Sequence, residues 1–209
     1  MIPFIEGMAE TFREHLPKPH GGKFSTPLEP DFNITKKDEV SDLECQEVLD
    51  AGQQVGSGMV LWAARHCFPE CRVGISILCR VMARPSWKAF HGLMRIIAWM
   101  YQERCRGIRY SRDGNSIPAW LVDSSAKADP CDQKCQYEAV GLWVGGPIMD
   151  ISKKLTHISL ATHTAEYMVM AFAHQAMVWM RQLFQEMDLI HLIENSTLMF
   201  GDNKPANIL

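Results

Sequence analysis

The sequence predicts an α/β fold of mixed α+β type: a mixed sheet with one long packed helix, preceded by a small helical region. Three observations point to it. Apolar residues recur every three to four positions between residues 51 and 106, short apolar runs bounded by turn residues follow, and a long helical pattern opens near Thr162. A chain of 209 residues can form one large domain or two small ones.

Residues 1–50 read as an extended linker or peripheral segment, because Pro17, Pro19, Gly21, Gly22, Pro27 and Pro30 interrupt it; a short helix fits near residues 39–49. Residues 51–112 read as a helical, basic region. Two helices lie between Gly56 and Met82 with a break around Phe68–Pro69, and Ser86 is placed to cap a third helix in which Trp87, Phe90, Leu93, Met94 and Ile97 recur. The period changes in residues 113–209, where Asp113–Gly114 signals a turn. Ala119–Val122 fits a buried strand leading to Asp123, and Tyr137–Val144 a second strand closed by Gly145–Gly146–Pro147. Strand-like pieces at 148–151 and 156–160 flank Lys153 and Lys154. The helix that follows runs to about Met187, with apolar residues on more than one face through Met180, which predicts cover on two sides. Leu198–Gly201 is a last short strand ending at Asp202–Asn203.

Composition is that of an ordinary globular protein, 47% apolar and 22% charged. The N-terminal segment carries acids early and does not read as a signal peptide. No stretch approaches the roughly 20 apolar residues that span a bilayer; YMVMAFAHQAMVWM comes closest but stops short and contains His174 and Gln175. Seven cysteines at irregular spacing argue against a disulfide framework and for a reducing, intracellular setting, cytoplasmic or nuclear. Cys67 with Cys71 and Cys131 with Cys135 lack the spacing of zinc pairs.

Charge is divided sharply along the chain. Residues 1–50 hold 5 Lys/Arg against 11 Asp/Glu, residues 51–112 hold 10 against 2, and residues 113–209 hold 6 against 11. The basic middle suits a polyanion partner, with Arg65, Arg72, Arg80, Arg84, Lys88 and Arg95 available to phosphates, or it neutralises the flanking acids.

Three carboxylates stand where a mixed sheet can gather acids: Asp123 and Asp202 at strand ends, and Glu166 at the start of the long helix. Hard oxygen ligands of this kind suit Mg2+ or Mn2+, and ions so held activate water and stabilise a leaving oxygen in phosphodiester hydrolysis. Each acid alone also has a local reading. Asp123 and Asp202 can cap loop and helix, and Glu166 can favour a helix start.

Several segments, in order, resemble the Pol polyprotein of Ty1/copia-type LTR retrotransposons, from the connecting region after the reverse transcriptase through most of the ribonuclease H domain. They are QQVGSGMVLWAAR, FPECRVGISILCRVMARPSWKAFHGLMRIIAWMY, ISKKLTHISLATHTAEYMVM and FGDNKPANIL. The resemblance places Asp123 on the first aspartate of the family's D-A-D-W segment, Glu166 on its catalytic glutamate and Asp202 on its metal-binding aspartate. It implies a ribonuclease H-like sheet, two Mg2+ ions (or Mn2+), and cleavage of the RNA strand of an RNA–DNA hybrid. Lys153, Lys154, Asn203 and Arg95 become candidate nucleic-acid contacts. For the lysines a solvated hairpin, for Asn203 a helix cap, and for Arg95 a tie between helices are the structural alternatives. The chain departs from the family at Ser125, Asp150, Thr164, Phe68 and Glu70, and keeps Pro69. By this alignment the fourth acidic ligand, a strand and a terminal helix fall beyond Leu209, so the domain is expected to be truncated. That expectation admits an alternative: a catalytically inactive retroelement fragment serving as a nucleic-acid-binding or assembly module, with a protein partner covering the open end.

Overall fold

The computed structural model describes residues 1–19, 21–112, 117–125, 129, 131–159 and 161–202. Two compact units divide the chain, residues 1–107 and 108–209. The division falls five residues before the 112/113 boundary that the sequence predicts. Asp113–Gly114 lies outside the described residues.

The first unit is helical: α1 (Ile2–Thr11), α2 (Asp42–Asp50), α3 (Gln53–His66), α4 (Arg72–Cys79) and α5 (Trp87–Gln102). Its core is built on α5, where Phe90, Leu93, Met94, Ile96, Ile97 and Met100 are fully buried. Ser86 caps that helix by accepting a hydrogen bond from the Ala89 N–H at 3.3 Å, and Ser41 caps α2 through Glu44. The break read at Phe68–Pro69 is a short 3-10 turn over Pro69–Cys71.

Residues 1–50 are not merely peripheral. Ile5, Met8, Ala9 and Phe12 form a helical stripe that enters the same core, and Phe24, Leu28 and Phe32 pack on it farther along. Gly92 permits that packing, since a Cβ there would stand 2.7 Å from the Phe32 ring. Ion pairs join this acidic segment to the basic region that follows: Arg84 with Asp42 at 2.8 Å, Lys88 with Asp38 at 3.0 Å, and Arg104 with Glu6 at 3.3 Å. Each exposed pair contributes little to stability. Together they show how the first two charge blocks compensate each other.

The second unit is a four-stranded sheet with one long helix, α6 (Thr162–Glu186). Its strands are β1 (Ala119–Ser125), β2 (Gln136–Trp143), β3 (Gly146–Lys154) and β4 (Leu198–Gly201), in the spatial order β3-β2-β1-β4. β1, β2 and β3 form an antiparallel meander, and β4 returns parallel to β1 after the crossover through α6. This is a mixed α/β arrangement, as the sequence predicts. Val144 and Gly145 turn β2 into β3 with φ of 46° and 86°, the left-handed pair that a tight hairpin requires. β3 is one strand through Lys154, and residues 156–159 are not a second piece of it.

Alternation on β1 decides which residues meet the helix. Trp120, Val122 and Ser124 face α6, while Leu121 and Asp123 lie on the other side. Ala165, Val169, Ala173, Met177, Met180 and Phe184 form the facing stripe of α6. Gly141 leaves room for the fully buried Trp120 indole, which a Cβ would approach to 3.1 Å. Tyr167, Val178 and Trp179 of α6 lie outside the stripe that faces the sheet and are exposed. No described helix is long and apolar enough to cross a membrane.

If α1 is a core element, Met8→Ala costs about 2–5 kcal/mol, the usual loss for a fully buried Met. Urea denaturation of the first unit's helical signal measures it. A change within about 0.5 kcal/mol, the range for surface substitutions, would restore the peripheral reading.

Candidate metal centre

Parallel pairing puts the ends of β1 and β4 side by side. Val122 pairs with Gly201, so Asp123, two residues before the end of β1, and Asp202, the first residue past β4, lie side by side near the carboxyl end of the parallel pair. That end is where open α/β sheets present their ligand sites. Arg181 of α6 fastens the connection into β4: its guanidinium donates to the backbone carbonyls of Ile193 and Asn195 and to Thr197 Oγ1. Met199 packs toward the helix side of the sheet, which fixes the face on which each β4 residue falls.

Glu166 is the fifth residue of α6 and belongs to its sheet-facing stripe, so its carboxylate is carried inward to the strand ends. One ligand oxygen from each of Asp123, Glu166 and Asp202 lies within 4.8 Å of the other two. The two aspartates are exposed, and Glu166 is 2% exposed. Glu166 Oε1 accepts two hydrogen bonds from Ser124, from the backbone N–H at 3.2 Å and from Oγ at 2.8 Å. Its other oxygen, Oε2, is buried with no hydrogen-bond partner among the described residues. Burial raises the Glu166 pKa above the usual carboxylate range. The charges of Asp123 and Asp202 push it the same way, against the hydrogen bonds from Ser124.

These residues fit a divalent cation. Three hard carboxylate oxygens converge, like charges crowd one point, and one buried oxygen lacks a donor. Glu138 of β2 stands directly opposite Asp123 in the register, adding a further acid on the same sheet face. A groove of about 450 Å³ between α6 and β4 is lined by Tyr167, Met170, Ala171, His174, Gln175 and Met199.

The remaining sequence candidates separate. Lys153 is exposed on β3 and lies level with Ser124 through Tyr137, two strands from the acids. At the usual strand spacing that is about 10 Å across the sheet. Lys154 is held by Asp129 at 2.7 Å and Asp132 at 2.9 Å, which hold its ammonium charged despite partial burial and neutralise it locally. It ties the loop after β1 to the end of β3. Arg95 belongs to the first unit, where its guanidinium sits 4.8 Å from the Phe24 ring centroid and 3.8 Å from Glu29. It joins α5 to the irregular N-terminal segment rather than one helix to another. Asn203 lies outside the described residues. The sequence reading missed Ser124, and its only signal was a polar residue on the buried phase of a strand.

No family model, curated protein or solved structure matches this chain. The acid cluster rests on its own geometry.

A raised carboxyl pKa disfavours the charged form in the fold, so this stabilisation is present below the ordinary carboxylate range and is lost as pH rises through the raised value. Glu166→Gln therefore raises the melting temperature of metal-free protein at pH 7 and changes it little at pH 4. Added Mg2+ at pH 7 stabilises wild type and leaves the variant unmoved; thermal melts with and without chelator read both effects.

Proposed function

We propose that the second unit is a ribonuclease H-like, metal-dependent endonuclease that hydrolyses the RNA strand of an RNA–DNA hybrid. One observation carries the reading: three carboxylates from two parallel strands and the facing helix converge within 4.8 Å, and the buried one keeps an oxygen with no partner among the described residues. The strand order, with β4 parallel to β1 after a helical crossover, supports the same reading. So does the succession of segments resembling a Ty1/copia-type Pol polyprotein, from which we infer a retrotransposon origin.

Asp123, Glu166 and Asp202 would hold the cations. Two Mg2+ or Mn2+ ions, when bound, supply activation of the attacking water and charge stabilisation at the leaving oxygen. Ser124 orients Glu166. Lys153, level with Ser124 two strands away, meets a backbone phosphate, a contact that positions substrate without reading sequence. Hybrid is distinguished from duplex DNA by helical shape and by the 2′-hydroxyl.

A second reading is favoured by one observation. Leu121, Leu198 and Phe200 are exposed together on the sheet face away from α6. A face of that kind suits a catalytically inactive assembly module that a partner covers.

A labelled RNA–DNA hybrid distinguishes the two. The first predicts Mg2+-dependent cleavage of the RNA strand, with D123N, E166Q and D202N each falling below roughly a hundredth of wild type, the loss expected when reacting groups are misplaced. Cleavage surviving in D123N removes the assignment. Salt-dependent binding without cleavage supports the second reading.

A further inference from the structure

We propose that Ser124 sets the cation preference of the acid cluster: by occupying Glu166 Oε1 it limits that ligand to one oxygen and favours small octahedral ions over Ca2+. The inference rests on the metal-dependent reading above and adds to it a residue that determines ion specificity.

The geometry is local and directional. β4 stops pairing at Gly201, opposite Val122, and the Ser124 N–H beyond that point donates to Glu166 at 3.2 Å. The Ser124 hydroxyl donates to the same oxygen at 2.8 Å. A carboxylate oxygen has two lone-pair directions, so two donors use the acceptor capacity of Oε1. Oε2 alone remains, buried and without a partner among the described residues. Ser124 is itself only 8% exposed, so water does not easily replace its hydroxyl.

Cations differ in what they ask of such a ligand. Ca2+ takes six to eight oxygens at about 2.3–2.6 Å and commonly uses both oxygens of one carboxylate, whereas Mg2+ demands near-octahedral geometry at about 2.0–2.1 Å from single oxygens. A glutamate with Oε1 already engaged cannot chelate through both oxygens without breaking the Ser124 bonds. Removing the hydroxyl leaves one weaker backbone donor and frees Glu166 to swing into two-oxygen coordination. Hydrogen bonds to a charged acceptor in a buried setting are the strong ones, so the bias they impose is measurable.

The test is competitive binding on the full chain after chelator treatment. Mn2+ occupancy is followed by its paramagnetic resonance signal, and Mg2+ and Ca2+ are each used to displace it. Ser124→Ala raises the affinity for Ca2+ relative to Mg2+ by about tenfold, the lower end of the worth of a hydrogen bond to a charged group. Ser124→Thr keeps the hydroxyl and the wild-type ratio. Ser124→Cys, with similar volume and a weak donor, shifts the ratio in the same direction as alanine and serves if the alanine variant does not fold. A ratio unchanged in both the Ala and Cys variants, with Mn2+ still bound, overturns the role of Ser124 and leaves the metal site standing. Folded wild type that takes up no Mn2+ at millimolar concentration overturns the metal site, and this inference with it.

Discussion

The pairing of β4 with β1 governs the acid cluster, although β4 has only four residues. Successive strand residues point to opposite faces, so a slip of one position would exchange Met199 for its exposed neighbours and carry Asp202 away from Asp123. Two contacts hold the register. Met199 is packed on the helix side of the sheet, and Arg181 binds the backbone just before the strand. The guanidinium gains two carbonyl acceptors and the Thr197 hydroxyl at once, which gives a short strand a firm point of entry. The third acid is thus positioned from α6, the same helix that carries the second.

That construction has an electrostatic cost. Gathering three carboxylates and burying one disfavours the ionised state that a metal ligand must have. Ser124 offsets part of it through two hydrogen bonds to the same oxygen. The remainder is what a cation would relieve. Lys154, the nearest lysine in sequence to Lys153, does not supply that relief, because Asp129 and Asp132 engage it on the loop after β1.

Much of this was legible in the chain. The order of apolar runs located β1, β2, α6 and β4 closely, because each is bounded by turn residues or by a change of period. The acids were visible because strand ends and the helix start are recognisable positions. Other features required the fold. Ser124 resembles any polar residue in a strand until the helix brings Glu166 against it. The two lysines are adjacent in sequence, and only the alternation of β3 puts them on opposite faces with opposite roles. The first fifty residues carry two signals: prolines and glycines between Pro17 and Pro30 that read as a linker, and before them the stripe Ile5, Met8, Ala9 and Phe12, whose helical spacing is what the fold uses.

The attachment of that first segment also has a consequence in time. Glu6 finds Arg104 and Phe24 finds Gln102 at sequence separations of 98 and 78, and the stripe of α1 packs against α5. At roughly 5–20 residues per second, a nascent chain carries α1 for about 5–20 s before α5 is complete. Through that interval its apolar stripe has no long-range partner on α5. Closure of the N-terminal segment is therefore a late event in the birth of the helical unit, and the ribosome-bound chain passes through a stage that invites chaperone capture.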